Sequence, residues 1–233
     1  MGNLIDIKKP QGFRIKAKSD KKAEITIYDE IGSGYWFDAV SAKQFTQELN
    51  ALPDSITEID LRVNSPGGDV FEGFTIYNRL KQHKAKVTTY VDGLAASIAS
   101  VIALAGDEIV MSEGSFIMIH KAWAMTAGNS DDLEQMVDRL LDIDEQLLGI
   151  YQRKTKLDRV ELRSMITAET WLNADEAIEM GFATRKSEDE AVMAASAEKA
   201  TWFKNKPNIN RDKIVKSKIN EFKNDIERYL ARK

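Results

Sequence analysis

The hydrophobic period of this chain switches repeatedly between two and three-to-four residues, and that alternation restricts the fold more than any other feature. Glu24-Ile25-Thr26-Ile27-Tyr28 alternates as a strand. Ser41-Ala42-Lys43-Gln44 has the spacing of a capping box, and it opens a helix whose Phe45, Leu49 and Leu52 share one face before Pro53 stops it. Ile59, Leu61 and Val63 then alternate into the turn Asn64-Ser65-Pro66-Gly67-Gly68, after which Val70, Phe71, Phe74, Tyr77 and Leu80 recur at helical spacing. Val87, Thr89 and Val91 predict a strand running into an apolar helix over 93–105. Residues 108–111 and 115–120 read as strands. A long helix is expected over 131–151, capped by Ser130, with Leu133, Met136, Val137, Leu140, Leu147, Leu148 and Tyr151 as its stripe and Asp131 and Asp132 at its positive end. Strands alternating with helices require crossover connections, so the expected class is α/β with a mostly parallel sheet.

Composition narrows the chemistry. The 233 residues include no cysteine, which excludes disulfides, thiolate zinc sites and cysteine nucleophiles. The only histidines are His83 and His120, so any reaction that needs an imidazole must use one of them. No metal or cofactor is expected. No nucleotide-binding loop is visible in the sequence. The first residues lack a signal-peptide core, and Asp6 stands where a myristoylation signal wants Ser or Thr. The apolar run 93–106 is bracketed by Asp92 and Asp107 and is shorter than the roughly 20 residues of a membrane span. A cytoplasmic protein is expected.

Charge divides the chain. Residues 199–233 carry 11 basic and 4 acidic side chains, although the whole chain is −4. Residues 186–200 are rich in small and charged side chains with no strand pattern, which suggests a linker or an exposed helix. The expected organisation is an N-terminal segment 1–22, a body 23–185, and a linker with a basic helical tail 186–233. In the tail, Val215, Ile219, Phe222, Ile226 and Tyr229 recur at spacings of 4, 3, 4 and 3. Such a helix packs on its own domain or serves as an attachment arm for an acidic surface. Nucleic acid is not expected, because no aromatic platform or binding motif accompanies the basic residues.

Three strand ends carry groups able to do chemistry, and in parallel α/β folds such ends converge on one crevice. Ser97 follows a strand and heads an apolar helix. It reads either as an N-cap or as a nucleophile approached through the small Gly93-Leu94-Ala95-Ala96 segment. His120 closes the strand Phe116-Ile117-Met118-Ile119, as a hydrogen-bonded edge residue or as a general base. His83, between Gln82 and Lys84, reads as a surface residue. Gly67-Gly68 is either a tight turn or a turn whose amides approach a reacting carbonyl.

In order and spacing, Asn64-Ser65-Pro66-Gly67-Gly68, Gly93-Leu94-Ala95-Ala96-Ser97, Met118-Ile119-His120, and Leu172-Asn173-Ala174-Asp175-Glu176-Ala177 leading to Gly181-Phe182 resemble the Clp protease proteolytic subunit (ClpP) family of serine peptidases. The resemblance covers roughly residues 23–185. It implies the ClpP/crotonase fold of repeated ββα units, Ser97 as nucleophile, His120 as base and the amides of Gly68 and Ile98 as oxyanion hole. The position aligned with the third triad member is Glu169, where the family usually has Asp; Glu169 reads alternatively as a first-turn helix residue or a salt-bridge partner. The family's ring contact and substrate groove correspond to 121–151, with Gly67, Trp123 and Met125 as substrate-binding candidates, although Trp123 reads equally as core packing. A homo-oligomeric ring, heptameric or stacked, acting on polypeptides is implied.

The run Asp69-Val70-Phe71-Glu72-Gly73, the step Glu169-Thr170-Trp171 and the basic tail look more like the phage and prophage branch, which processes capsid, scaffold or portal proteins in the prohead. Alternatives are a housekeeping-type subunit working with an AAA+ unfoldase, an inactive ring-forming relative, an acyl-CoA enzyme of the same superfamily and a Ser-Lys signal-peptide peptidase.

Overall fold

A hairpin opens the structure. In the computed structural model, which describes residues 12–32, 39–188 and 204–205, β1 (Phe13–Ala17) runs antiparallel to β2 (Lys22–Ile27). The sheet therefore starts before residue 23, where the body was expected to begin. The alternation of β2 buries Ala23, Ile25 and Ile27 and turns Lys22, Glu24 and Thr26 outward.

Helix α1 (Ala42–Asn50) buries Phe45 and Leu49, and Phe45 meets the Phe13 ring at 5.6 Å. The expected Ser41–Gln44 capping box does not form: the Ser41 side chain makes no cap bond, and the Ala42 N–H donates to Glu72 Oε2 at 2.5 Å instead. A carboxylate from a neighbouring helix takes the place of the local hydroxyl.

β3 (Glu58–Ser65), α2 (Val70–Gln82), β4 (Lys86–Ala96), α3 (Ile98–Ala103) and β5 (Glu108–Met111) follow, then β6 (Phe116–Ile119), α4 (Ser130–Lys154), α5 (Arg159–Thr167), β7 (Thr170–Asn173), α6 (Ala174–Met180) and β8 (Arg185–Lys186). The main path of the sheet is β1-β2-β3-β4-β5-β8, and all its pairs from β2 onward are parallel. This is the mostly parallel α/β sheet expected.

β4 has two partners on one side. Thr88–Val91 pairs with β5 and Leu94–Ala96 pairs with β6, which in turn runs antiparallel to β7. The helix expected over 93–105 is therefore shorter: Gly93 to Ala96 are strand, and only Ile98–Ala103 is helical. An apolar run has no period of its own to choose helix or strand, and the backbone groups of Leu94–Ala96 find partners on β6. Every residue of α3 is buried.

Asp92, on β4, is buried. It accepts from Arg62 Nε at 2.9 Å, from Arg62 Nη2, and from the Tyr28 hydroxyl at 2.5 Å, and the Arg62 guanidinium lies 5.3 Å over the Tyr90 ring. Burial, and then the bond to Asp92, raise the Tyr28 pKa.

The cap of α4 is Asn129 rather than Ser130. The Asn129 side chain accepts from the amides of Asp131 and Asp132 at 2.9 and 3.1 Å, and Asp132 Oδ2 accepts from the Asn129 N–H at 3.0 Å. A capping box closes one residue before the serine. The expected stripe divides: Leu133 and Val137 are exposed, whereas Leu147, Leu148 and Tyr151 are buried. Phe182, just past Gly181 (φ 86°), packs against Tyr151 at 5.7 Å. The tail stripe Val215–Tyr229 and most of the expected linker 186–200 lie outside the described residues.

Candidate active site

The turn after β3 is clamped from both sides. Ser65 Oγ donates to the Asp29 carbonyl at 2.6 Å and accepts the Gly67 N–H at 3.2 Å. Ile31 N–H donates to the Gly67 carbonyl at 2.7 Å, and the Asp69 N–H donates to the Ile31 carbonyl at 2.8 Å. Gly67 has φ 95° and Gly68 φ 144°, conformations that suit glycine. A Cβ added at Gly68 would fall 2.0 Å from the Ile31 oxygen. One added at Gly67 would fall 2.7 Å from both the Ala96 oxygen and the Ser97 Cβ and 3.2 Å from the Ile98 nitrogen. Only an absent side chain lets this turn pass beside Ser97. Beyond it, Asp69 caps α2 by accepting from the amides of Phe71 and Glu72, both at 2.9 Å.

Ser97 stands between β4 and α3 at φ 54°, ψ −129°. Its N–H donates to the Met118 carbonyl at 2.9 Å, which carries the β4–β6 pairing one residue further. A capping serine has extended backbone and turns its oxygen onto the helix amides. Ser97 does neither, and its Oγ lies 2.8 Å from Nε2 of His120. A side-chained residue at positive φ is strained, so the surrounding structure must hold it there. Ile98 opens α3, where a first-turn amide has no acceptor within its own helix. Its side chain packs so closely on α2 that a Cβ at Gly73 would lie 2.2 Å from Ile98 Cγ1.

His120 lies one residue past β6. Burial lowers its pKa from 6.5, and the negative charges of Glu169 and then Asp144 oppose that shift. Near neutral pH the ring is uncharged and can take a proton on the nitrogen that carries its lone pair. Glu169, between α5 and β7, sits at φ 51°, and its Oε1 accepts from Trp171 Nε1 at 3.4 Å. Ser97, His120 and the turn at 67–68 are thus brought together, with Glu169 close enough for its charge to act on the ring.

Trp123 and Met125 lie in 121–129, which has no regular structure, and are 57% and 90% exposed, so Trp123 is not core packing. His83 is half-buried rather than fully solvated, and its Nδ1 accepts the Ala85 N–H at 3.1 Å. Asp144 was missed. It shares a helix face with the apolar Leu147, Leu148 and Tyr151, and an acid on such a face was the available signal.

Residues 9–188 match the family described as Clp protease. An ATP-dependent Clp protease proteolytic subunit of Deinococcus radiodurans is 34% identical over 126 residues, which are 53% of this chain and 62% of that protein. The proteolytic subunit 1 of Protochlamydia amoebophila is 33% identical over 163 residues, covering 67% of this chain and 76% of the relative. A ClpP1 mutant from Listeria monocytogenes has the same fold, with a TM-score of 0.61 and 23% identity over 71% of this chain and 91% of its own.

Proposed function

The chain belongs to the Clp protease family, and from that premise we propose that it is a serine endopeptidase acting through an acyl-enzyme. The 2.8 Å approach of Ser97 Oγ to His120 Nε2 carries this reading. Ser97 Oγ attacks the scissile carbonyl while its proton passes to His120 Nε2. The amides of Gly68 and Ile98 receive the oxyanion. His120 returns the proton to the leaving amine, and water then cleaves the acyl-enzyme by the same base. Glu169 orients the imidazole and stabilises its charged form. Gly67 and the exposed Trp123 and Met125 line the path of the substrate chain.

The substrate is a polypeptide, and the subunits act as a homo-oligomeric ring. The Glu169-Thr170-Trp171 step and the basic C-terminal segment favour a capsid, scaffold or portal protein cut within an assembling prohead or the host cytoplasm. The names of the relatives favour a second reading, a proteolytic subunit that receives substrate from an AAA+ unfoldase.

Labelling by a fluorophosphonate tests the chemistry. The parent is expected to be labelled at Ser97 and the Ser97→Ala variant to be inert in both labelling and peptide hydrolysis. Persistent hydrolysis by Ser97→Ala, free of contaminating protease, overturns the assignment, and tight coenzyme A binding without labelling replaces it with acyl-CoA chemistry. Coexpression with genomically neighbouring proteins distinguishes the substrates: serine-dependent truncation of a capsid protein supports the first reading, and degradation only with an added unfoldase supports the second.

A further inference from the structure

We propose that Asp144 and Tyr151, two turns apart on one face of α4, are positioning residues that hold Ser97 and His120 against each other. The inference rests on the serine-peptidase reading above and deepens it.

His120 stands just past the last register pairs of the sheet. The β6–β7 pairing ends at Ile119 with Thr170, and the β4–β6 pairing ends at Ala96 with Met118. The position of the ring, which Glu169 orients, therefore also depends on what holds the chain immediately beyond it. Two bonds do so: Lys121 N–H donates to the Ile166 carbonyl of α5 at 3.0 Å, and Ala122 N–H donates to Asp144 Oδ1 at 2.8 Å. Asp144 is 3% exposed, and its other oxygen lies 3.7 Å from Lys121 Nζ.

A buried carboxylate is costly to desolvate, and a neutral amide oxygen could accept the same N–H at less cost. The charge has a use at His120. When the ring takes the serine proton it becomes a cation, and Asp144 adds to Glu169 a second negative charge that favours that cation. Lys121, paired with Asp144, is the opposing charge nearest in sequence.

The other half of the pair is held from the same helix face. Ser100 Oγ donates its single proton to the Ser97 carbonyl at 2.6 Å, so the contact to Tyr151 at 2.9 Å must be donated by the tyrosine hydroxyl. Tyr151 is fully buried and keeps its proton, because burial raises its pKa far above the ordinary value. A relay from Tyr151 through Ser100 thus ends on the backbone carbonyl of the residue held at φ 54°. Seven residues of α-helix separate the two anchors by about 10 Å along one face, and a helix is a rigid spacer.

The test compares full-length Asp144→Ala, Asp144→Asn and Tyr151→Phe with the parent. The readouts are the rate of fluorophosphonate labelling at Ser97, kcat and KM for a peptide substrate, the pH profile, thermal midpoint and assembled mass. Asp144→Ala is expected to lower kcat and labelling rate at least tenfold with KM changed by less than threefold. Asp144→Asn, which keeps the acceptor, should recover activity to within threefold of the parent above pH 8, while its acid limb moves to lower pH. Tyr151→Phe should slow labelling threefold to tenfold.

Parental labelling rates in both Asp144→Ala and Tyr151→Phe, or an Asp144→Asn variant with an unmoved acid limb, overturn the proposal. If Asp144→Ala does not assemble, the acid limb of Asp144→Asn alone decides. A parent that is never labelled at Ser97 overturns the peptidase reading itself, a result distinct from labelling that is indifferent to position 144.

Discussion

Ser97 Oγ lies 2.8 Å from His120 Nε2 because each residue stands just past the end of one of two parallel, hydrogen-bonded strands. Ala96 pairs with Met118, so the chain beyond β4 and the chain beyond β6 emerge at the same edge. Neighbouring parallel strands deliver groups 23 residues apart to a common point.

Removing either member of that pair should abolish turnover without unfolding the chain. For Ser97→Ala and His120→Ala, kcat for peptide hydrolysis should fall about 10⁴- to 10⁶-fold, the scale seen when a triad member is lost. The thermal midpoint should change little, because Ser97 makes no helix-capping bond that alanine would lose.

The pH profile should reflect burial of the imidazole. His120 must be uncharged to accept a proton, and its pKa lies below 6.5, so the acid limb of kcat/KM should fall below that value. Stability follows the same sign. Between the lowered folded value and 6.5 the unfolded chain binds more protons, so His120 makes the fold progressively less stable as pH falls through that window. Urea unfolding of the parent and of His120→Gln across pH 5 to 8 checks this, and the parent should have the steeper pH dependence.

Glu169→Gln should be milder than loss of the pair but not silent. The amide retains hydrogen-bonding capacity and loses the charge that raises the His120 pKa. A fall of at least tenfold in kcat is expected, with the acid limb displaced to lower pH. Activity equal to the parent removes Glu169 from the site.

The two turn glycines should fail differently. Gly67→Ala brings a methyl to 2.7 Å from Ser97 Cβ and 3.2 Å from the Ile98 nitrogen, so its main effect should be on acylation. Gly68→Ala drives a methyl to 2.0 Å from the Ile31 oxygen and should disturb the fold. Strain of this kind costs about 1–3 kcal/mol. Thermal melts should rank Gly68→Ala below Gly67→Ala, while fluorophosphonate labelling should be slow in both.

Arg62→Leu tests the polar network across β2, β3 and β4. It leaves the buried Asp92 carboxylate with the Tyr28 hydroxyl but without its cation. Stranding a buried charge costs about 3 kcal/mol, measurable as a lower urea midpoint. A second change, Asp92→Asn, should restore part of the loss.

The sequence made regular amphipathic elements legible. The alternation of Ile59, Leu61 and Val63 and the helical spacing of Val70, Phe74, Tyr77 and Leu80 correspond to β3 and α2, because in each one face meets the core and the other does not. Periodicity failed where both faces are buried: Leu94, Ala95 and Ala96 are strand, though they read as helix. Caps failed where competition was close, as with Asn129 against the adjacent Ser130, or where a distant group intervened, as Glu72 does at Ala42. Ser97 and His120 stood out because hydroxyl and imidazole are conspicuous at the ends of apolar strands. Asp144 did not, because its one mark, the face it shares with Leu147, Leu148 and Tyr151, is faint in a long helix that carries many other acids.

The shared strand β4 makes the chain's tolerance of insertions lopsided. Its first half is in register with β5, its second half with β6, and Ser97 is the very next residue. An extra residue anywhere between 92 and 96 would rotate the hydroxyl to the opposite side and invert the inward-facing side chains at the same stroke. The stretch 123–128, which belongs to no strand or helix, has no such register to lose. Length variants engineered there should fold, whereas equal changes in the preceding segment should not.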